Sequence, residues 1–171
     1  DALAKAADHY HHLLHDPKNI SAIKYLYDRG FNDGIITKFK LGYARGNGVR
    51  KCGASEEALL EAGVLGKPKA SSKNQDTYDP LHGRVIIPLR DTLGRVVGFT
   101  GRQMEAKEDS PKYKNTRETV VFHKGEVLFS YKNAQEMIRR GEFKHLLVVE
   151  GQLKAIASNH YGWPTISAGG T

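Results

Sequence analysis

Apolar residues in the first third of the chain recur at helical spacing. Leu3, Ala6, Ala7, Tyr10, Leu13 and Leu14 share one side of a 3.6-residue repeat and predict a helix over 2–15. Asp16-Pro17 ends it, because a residue before proline avoids the helical region. Ser21 is the expected cap of a second helix, with Ala22, Ile23, Tyr25 and Leu26 inward and Gly30 as its stop. A third short helix is expected over 32–39, burying Ile35, Ile36 and Phe39. A strand is expected over 41–44, a loop over 45–53, and a helix over 55–62 ended by Gly63. Residues 66–80 carry little that is apolar and are expected as a surface loop.

The period then shortens. Val- and Ile-rich runs at 84–89 and 95–100 flank Asp91-Thr92-Leu93-Gly94, a hairpin signal. Pro88 within the first run argues for an edge position or a strand end. Short extended segments are expected over 120–122 and 127–130, and a helix over 132–141. From Leu146 the pattern is strand, helix, strand. The apolar run 146–149 reads as a strand buried on both faces, 152–160 as a helix and 164–167 as the next strand.

Composition narrows the functional classes. The 171 residues hold 26 Lys+Arg against 19 Asp+Glu, a net charge of +7 that favours a polyanionic partner. No apolar run approaches the roughly 18–20 residues needed to span a bilayer. A single cysteine, Cys52, excludes an internal disulfide framework and fits a reducing compartment.

Three groups are candidates for chemistry. Glu150 follows an apolar run and precedes Gly151, which places a carboxylate at a strand end where open α/β sheets gather ligands. Such a group suits Mg²⁺ ligation or general-base work, or it is simply a solvated strand-end acid. The basic middle is second. Arg84 and Arg90 share strand parity and so could share a surface, and Gly98 and Gly101 thin the backbone before Arg102. Pro111-Lys112-Tyr113-Lys114-Asn115-Thr116-Arg117 interleaves cations with an aromatic and an amide, as phosphate and base contacts require, or as any solvated basic loop does. His11 and His15, four apart, could bind a metal, but no glutamate in the helix accompanies them, and ordinary surface histidines are the better expectation.

In order and spacing, several blocks resemble the bacterial-type, DnaG-like DNA primase catalytic core. These are Tyr25-Leu-Tyr-Asp-Arg-Gly30, Phe39-Lys-Leu-Gly-Tyr43, Tyr78-Asp79, Arg84-Val-Ile-Ile-Pro-Leu89 and Gly94-Arg-Val-Val-Gly-Phe-Thr-Gly-Arg102. The sharpest are Pro111-Lys-Tyr-Lys-Asn115, Phe122-His-Lys-Gly125 and Val148-Val-Glu-Gly151. The resemblance implies an α+β fold: a mixed N-terminal subdomain of short helices and antiparallel strands over 1–143, then the first βαβ part of a TOPRIM domain over 144–171. It implies a DNA-directed RNA polymerase, a nucleotidyltransferase that makes RNA primers on single-stranded DNA for replication. Glu150 would be the catalytic carboxylate and a ligand of Mg²⁺ or Mn²⁺. Arg29, Arg84, Arg102, Lys112, Tyr113, Asn115 and Lys124 would contact template and ribonucleoside triphosphate. A replicative helicase would be a partner through other regions, with no membrane contact and a cytoplasmic location, in the bacterial nucleoid or as a phage protein.

The departures matter. Glu150-Gly-Gln-Leu-Lys154 places a lysine where the family usually has a second acid. Phe99-Thr100-Gly101, Lys114 and Thr116 also differ from its common residues, implying a divergent member of phage or mobile-element type. The family's preceding zinc module and later acids are expected outside this stretch, which should then bind template and nucleotide without synthesising primers. The alternative is a non-catalytic single-strand-binding or replisome-docking module with a degenerate TOPRIM. Another TOPRIM enzyme, a topoisomerase or nuclease, fits the upstream blocks less well.

Overall fold

A computed structural model describes residues 1–71, 73, 75–105, 109–141 and 143–168. The architecture is α+β, with two small sheets and helices packed on them. The first sheet has the order β1-β2-β3-β4: β1 (Gly42–Tyr43), β2 (Arg84–Arg90), β3 (Val96–Gln103) and β4 (Tyr113–Asn115), all antiparallel. The β2–β3 hairpin forms because Asp91 closes its turn. Its Oδ1 accepts the amides of Leu93 and Arg95 at 3.0 and 2.9 Å, and its Oδ2 accepts Arg95 Nε at 2.7 Å. Pro88 is tolerated although β2 lies between two strands. Its partner Phe99 turns its own amide and carbonyl to Thr116, so the missing N–H of Pro88 faces the side that β1 has already left.

Each face of this sheet has its own apolar cluster. One side packs α1 (Ala2–Leu14) and α4 (Glu56–Glu61) onto Ile86 and Phe99, through Leu3, Ala6, Ala7, Tyr10 and Leu59. Glycine is required at 42, because a Cβ there would lie 2.6 Å from the Tyr10 backbone. The other side packs α2 (Ile20–Tyr27), α3 (Asp33–Phe39) and α6 (Gln152–His160) onto Val85, Ile87 and Leu89. The caps expected of Asn32 and Ser55 are made: their side chains accept Ile35 N at 3.0 Å and Ala58 N at 3.2 Å. Ser21 is not the cap of α2. The chain enters that helix through a 3-10 turn, Pro17–Asn19, and buried Asn19 donates to the carbonyl of Leu13 instead.

The second sheet has the order β5-β7-β6, with β6 (Leu147–Val149) parallel and β5 (Leu128–Phe129) antiparallel to β7 (Thr165–Ala168). The division expected at 143/144 runs through this sheet. β5 comes from before it, and α5 (Tyr131–Arg139) also contacts β7.

Three expectations are revised in whole or in part. Among the described residues β6 is not buried on both faces: Leu147 is 45% and Val148 71% exposed, and its one pairing is to β7. Residues 45–53 contain a 3-10 turn, Gly48–Lys51. The expected surface loop 66–80 is exposed over most of its described residues but turns inward at its C-terminal end. A bridge pairs Gly66 with Tyr78, and Thr77 and Asp79 are buried. Asp79 accepts the Tyr10 hydroxyl at 2.8 Å and the Leu81 amide at 2.8 Å, which ties this segment to α1.

Candidate nucleic-acid interface

Tyr25 lies in the last turn of α2, and Arg29 follows one residue past its C-terminal cap, Asp28. The Arg29 guanidinium carbon lies 3.7 Å from the centroid of the Tyr25 ring. The Tyr25 hydroxyl reaches β3, where it accepts Arg102 Nε at 3.0 Å and donates to the carbonyl of Gln103 at 3.4 Å. Tyr113 lies directly opposite Arg102 across the β3–β4 ladder, with its ring 4.8 Å from the guanidinium carbon. The Tyr113 hydroxyl in turn faces the start of α6, where a Cβ on Gly151 would lie 3.4 Å from it.

These contacts make one connected ladder: Arg29, Tyr25, Arg102, Tyr113 and the start of α6, beside Glu150. Burial raises the Tyr113 pKa, with the Arg102 charge pulling the other way, so the phenol keeps its proton. Arg102 Nη1 is buried with no hydrogen-bond partner among the described residues. An unmet buried donor costs about 1–3 kcal/mol. The guanidinium therefore stays in place because Tyr25 and Tyr113 hold it.

The structure thus brings together Arg29, Arg102 and Tyr113, with Glu150 one residue from the Gly151 contact. Glu150 is exposed at the C-terminal end of parallel β6. Asn115, paired with Thr100, lies on the same sheet face as Tyr113. Lys112 is exposed just before β4, and its carbonyl accepts Gln103 N at 3.0 Å. Lys124 opens a separate 3-10 turn, and its amide donates to Glu118 Oε1 at 2.9 Å.

Arg84 is a correction. It is 6% exposed, and it does not share an open surface with exposed Arg90. Its Nη1 donates to the carbonyls of Pro111 and Gly101 at 2.8 and 3.2 Å, and its Nη2 to Ser110 Oγ at 2.6 Å. It clamps the approach to β4 onto the sheet. Gly98 and Gly101 serve the same packing: a Cβ at 101 would lie 2.8 Å from Arg84 Cδ, and one at 98 would lie 3.1 Å from the Phe122 ring. The thin backbone admits side chains of this protein. Tyr25 was expected only as an inward-facing residue. The spacing of four between Tyr25 and Arg29, at the end of a helix, was the available signal for its larger role.

The family model described as DNA primase catalytic core, N-terminal domain, matches residues 9–135. The chain belongs to this family. The DNA primase of Deinococcus radiodurans is 40% identical over 166 residues, covering 94% of this chain and 27% of that protein. The DNA primase of Escherichia coli K12 is 36% identical over 159 residues, covering 90% of this chain and 26% of that protein. This primase core domain therefore spans about a quarter of the length of the curated relatives it matches. Among solved structures, a DnaG primase catalytic domain bound to single-stranded DNA superposes with a TM-score of 0.81 at 33% identity, over 98% of this chain and 52% of that one. The RNA polymerase domain of Mycobacterium tuberculosis primase DnaG gives 0.85 at 29% identity, over 99% and 55%. Among the described residues no helix is long and apolar enough to cross a membrane.

Proposed function

We propose that this domain serves the DNA-templated synthesis of RNA primers, and that the Arg29–Tyr25–Arg102–Tyr113 ladder is part of the wall that holds single-stranded template and incoming ribonucleoside triphosphate. The observation that carries this reading is the caging of Arg102 between two tyrosines, on a wall that ends beside Glu150. The relatives named DNA primase, and the neighbouring structure bound to single-stranded DNA, support it. Arg29, Arg102, Lys112 and Lys124 would neutralise phosphates, and the Asn115 amide would bond sugar or base edges. One face of the Tyr113 ring is already occupied by Arg102, so this tyrosine orients a cation as much as it offers a stacking surface.

The family implies Mg²⁺ or Mn²⁺. Mg²⁺ demands near-octahedral oxygen ligation. Among the described residues no group of three or more metal-binding side chains forms, and Lys154 lies four positions after Glu150. Glu150 alone would supply only one of the oxygen ligands such an ion needs. The contribution of these residues is binding, charge neutralisation and placement of one carboxylate.

The test is fluorescence anisotropy of a labelled single strand across a salt series. Each phosphate neutralised contributes about −0.7 to the log–log slope. Arg102→Ala should flatten the slope by about that amount, and an unchanged slope would remove Arg102 from the wall. In a primer-synthesis assay of a whole primase containing this domain, Glu150→Gln should abolish synthesis while leaving strand binding intact. Full synthesis would take Glu150 out of the mechanism and favour the binding-module reading, which the position of Lys154 supports.

A further inference from the structure

Arg102 is held by contacts of two kinds. Its guanidinium carbon lies over the Tyr113 ring, 4.8 Å from the centroid, a contact with little directional demand within the ring face. The Tyr25 hydroxyl accepts Nε at 3.0 Å, and this directional bond fixes which way the guanidinium turns. The same hydroxyl is itself fixed. It donates to the Gln103 carbonyl on the backbone of β3, and Arg29 covers the ring that carries it. A free arginine side chain has several rotamers to lose when it meets a phosphate, and an already oriented one loses fewer. Arg102 Nη1 also lies buried without a partner, an arrangement that would relax unless something held the side chain.

We propose that Tyr25 is a positioning residue for oxyanion recognition. Through its hydroxyl it pre-orients Arg102 toward a phosphate group of the bound strand or nucleotide, without touching that ligand. This rests on the proposed role of Arg102 in the binding wall. It also gives α2, far from β3 in sequence, a task at the interface: the helix delivers one phenol to one guanidinium.

Tyr25→Phe is the diagnostic change. It keeps the ring and the stacked Arg29, and it removes only the hydroxyl. The experiment is a double-mutant cycle on the whole chain with Arg102→Ala, read as the dissociation constant for a fluorescein-labelled single strand of roughly 12 nucleotides. Tyr25→Phe should weaken binding by about threefold to tenfold, the range of one hydrogen bond. In the Arg102→Ala background it should cost nothing further, and likewise with Arg102→Lys, which has no Nε–H to orient. A purely structural role for the hydroxyl would persist in both backgrounds. Tyr25→Phe binding like the wild type, or a cost that persists when Arg102 is gone, overturns the proposal while leaving the wall in place. If Arg102→Ala itself binds like the wild type, the wall and the proposal both fall.

Discussion

Asp79 offers a test that depends on burial alone. The carboxylate is 3% exposed, bonded to the Tyr10 hydroxyl and the Leu81 amide. Burial outweighs these bonds and raises its pKa from 3.8 to about 6. An acid whose pKa rises on folding is protonated longer in the folded state than in the unfolded one. Its contribution to stability is fully present below about pH 4 and is lost as pH rises through about 6. At ~1.4 kcal/mol per pH unit the loss is about 3 kcal/mol. Asp79→Asn keeps the shape, keeps an oxygen for the Leu81 amide and removes the ionisation. Urea unfolding of both proteins, followed by far-UV circular dichroism between about pH 4 and 7, measures the difference. The variant should be less stable than, or equal to, the wild type at the acid end, and should gain about 3 kcal/mol on it toward neutral pH. A difference that stays flat, or that moves in favour of the wild type as pH rises, would show that the hydrogen bonds outweigh burial and would refute the reasoning.

Arg84 and Lys112 should separate structural from electrostatic cations. Arg84→Met keeps much of the buried stem but loses three hydrogen bonds, so it should cost about 1–3 kcal/mol in urea unfolding and leave the salt slope of strand binding almost unchanged. Lys112→Ala should do the reverse, with stability within about 0.5 kcal/mol of the wild type and a slope flatter by about 0.7. Gly101→Ala pushes a methyl group against the Arg84 stem and should destabilise by about 1–3 kcal/mol, measured the same way. Gly42→Ala meets the backbone of Tyr10 and should cost more than Gly101→Ala, so equal costs would mean that α1 yields easily.

Periodicity made the helices and the hairpin legible, because Leu3, Ala6, Ala7 and Tyr10, or Val85 and Ile87, must share a face to be buried at all. Short motifs made Arg29, Arg102, Tyr113 and Glu150 legible as candidates. What stayed hidden depends on who meets whom. Strand parity could align Arg84 with Arg90, but it could not show that Ser110 and Pro111 fold back over Arg84. The polar segment 66–80 carries no apolar repeat to announce that Asp79 turns inward. The bond from Tyr25 to Arg102 spans 77 positions and leaves no local trace. The exposure of β6 was misjudged for a related reason: an apolar run shows that a strand can be covered on both faces, not that described residues cover it.

The pairing of β5 with β7 sets where this molecule can be recombined. A chimera joined at 143/144 would bring a foreign β6 and β7 against a resident β5, mismatching an antiparallel register at Leu128–Ala168 and Phe129–Ser167. Phe129, α6 and the first sheet also share one apolar cluster, so the error would spread into the packing of the first sheet. A workable seam for exchanging the second sheet lies upstream of β5, in the turn around Lys124–Glu126, where the chain has left the first sheet and has not yet entered the second.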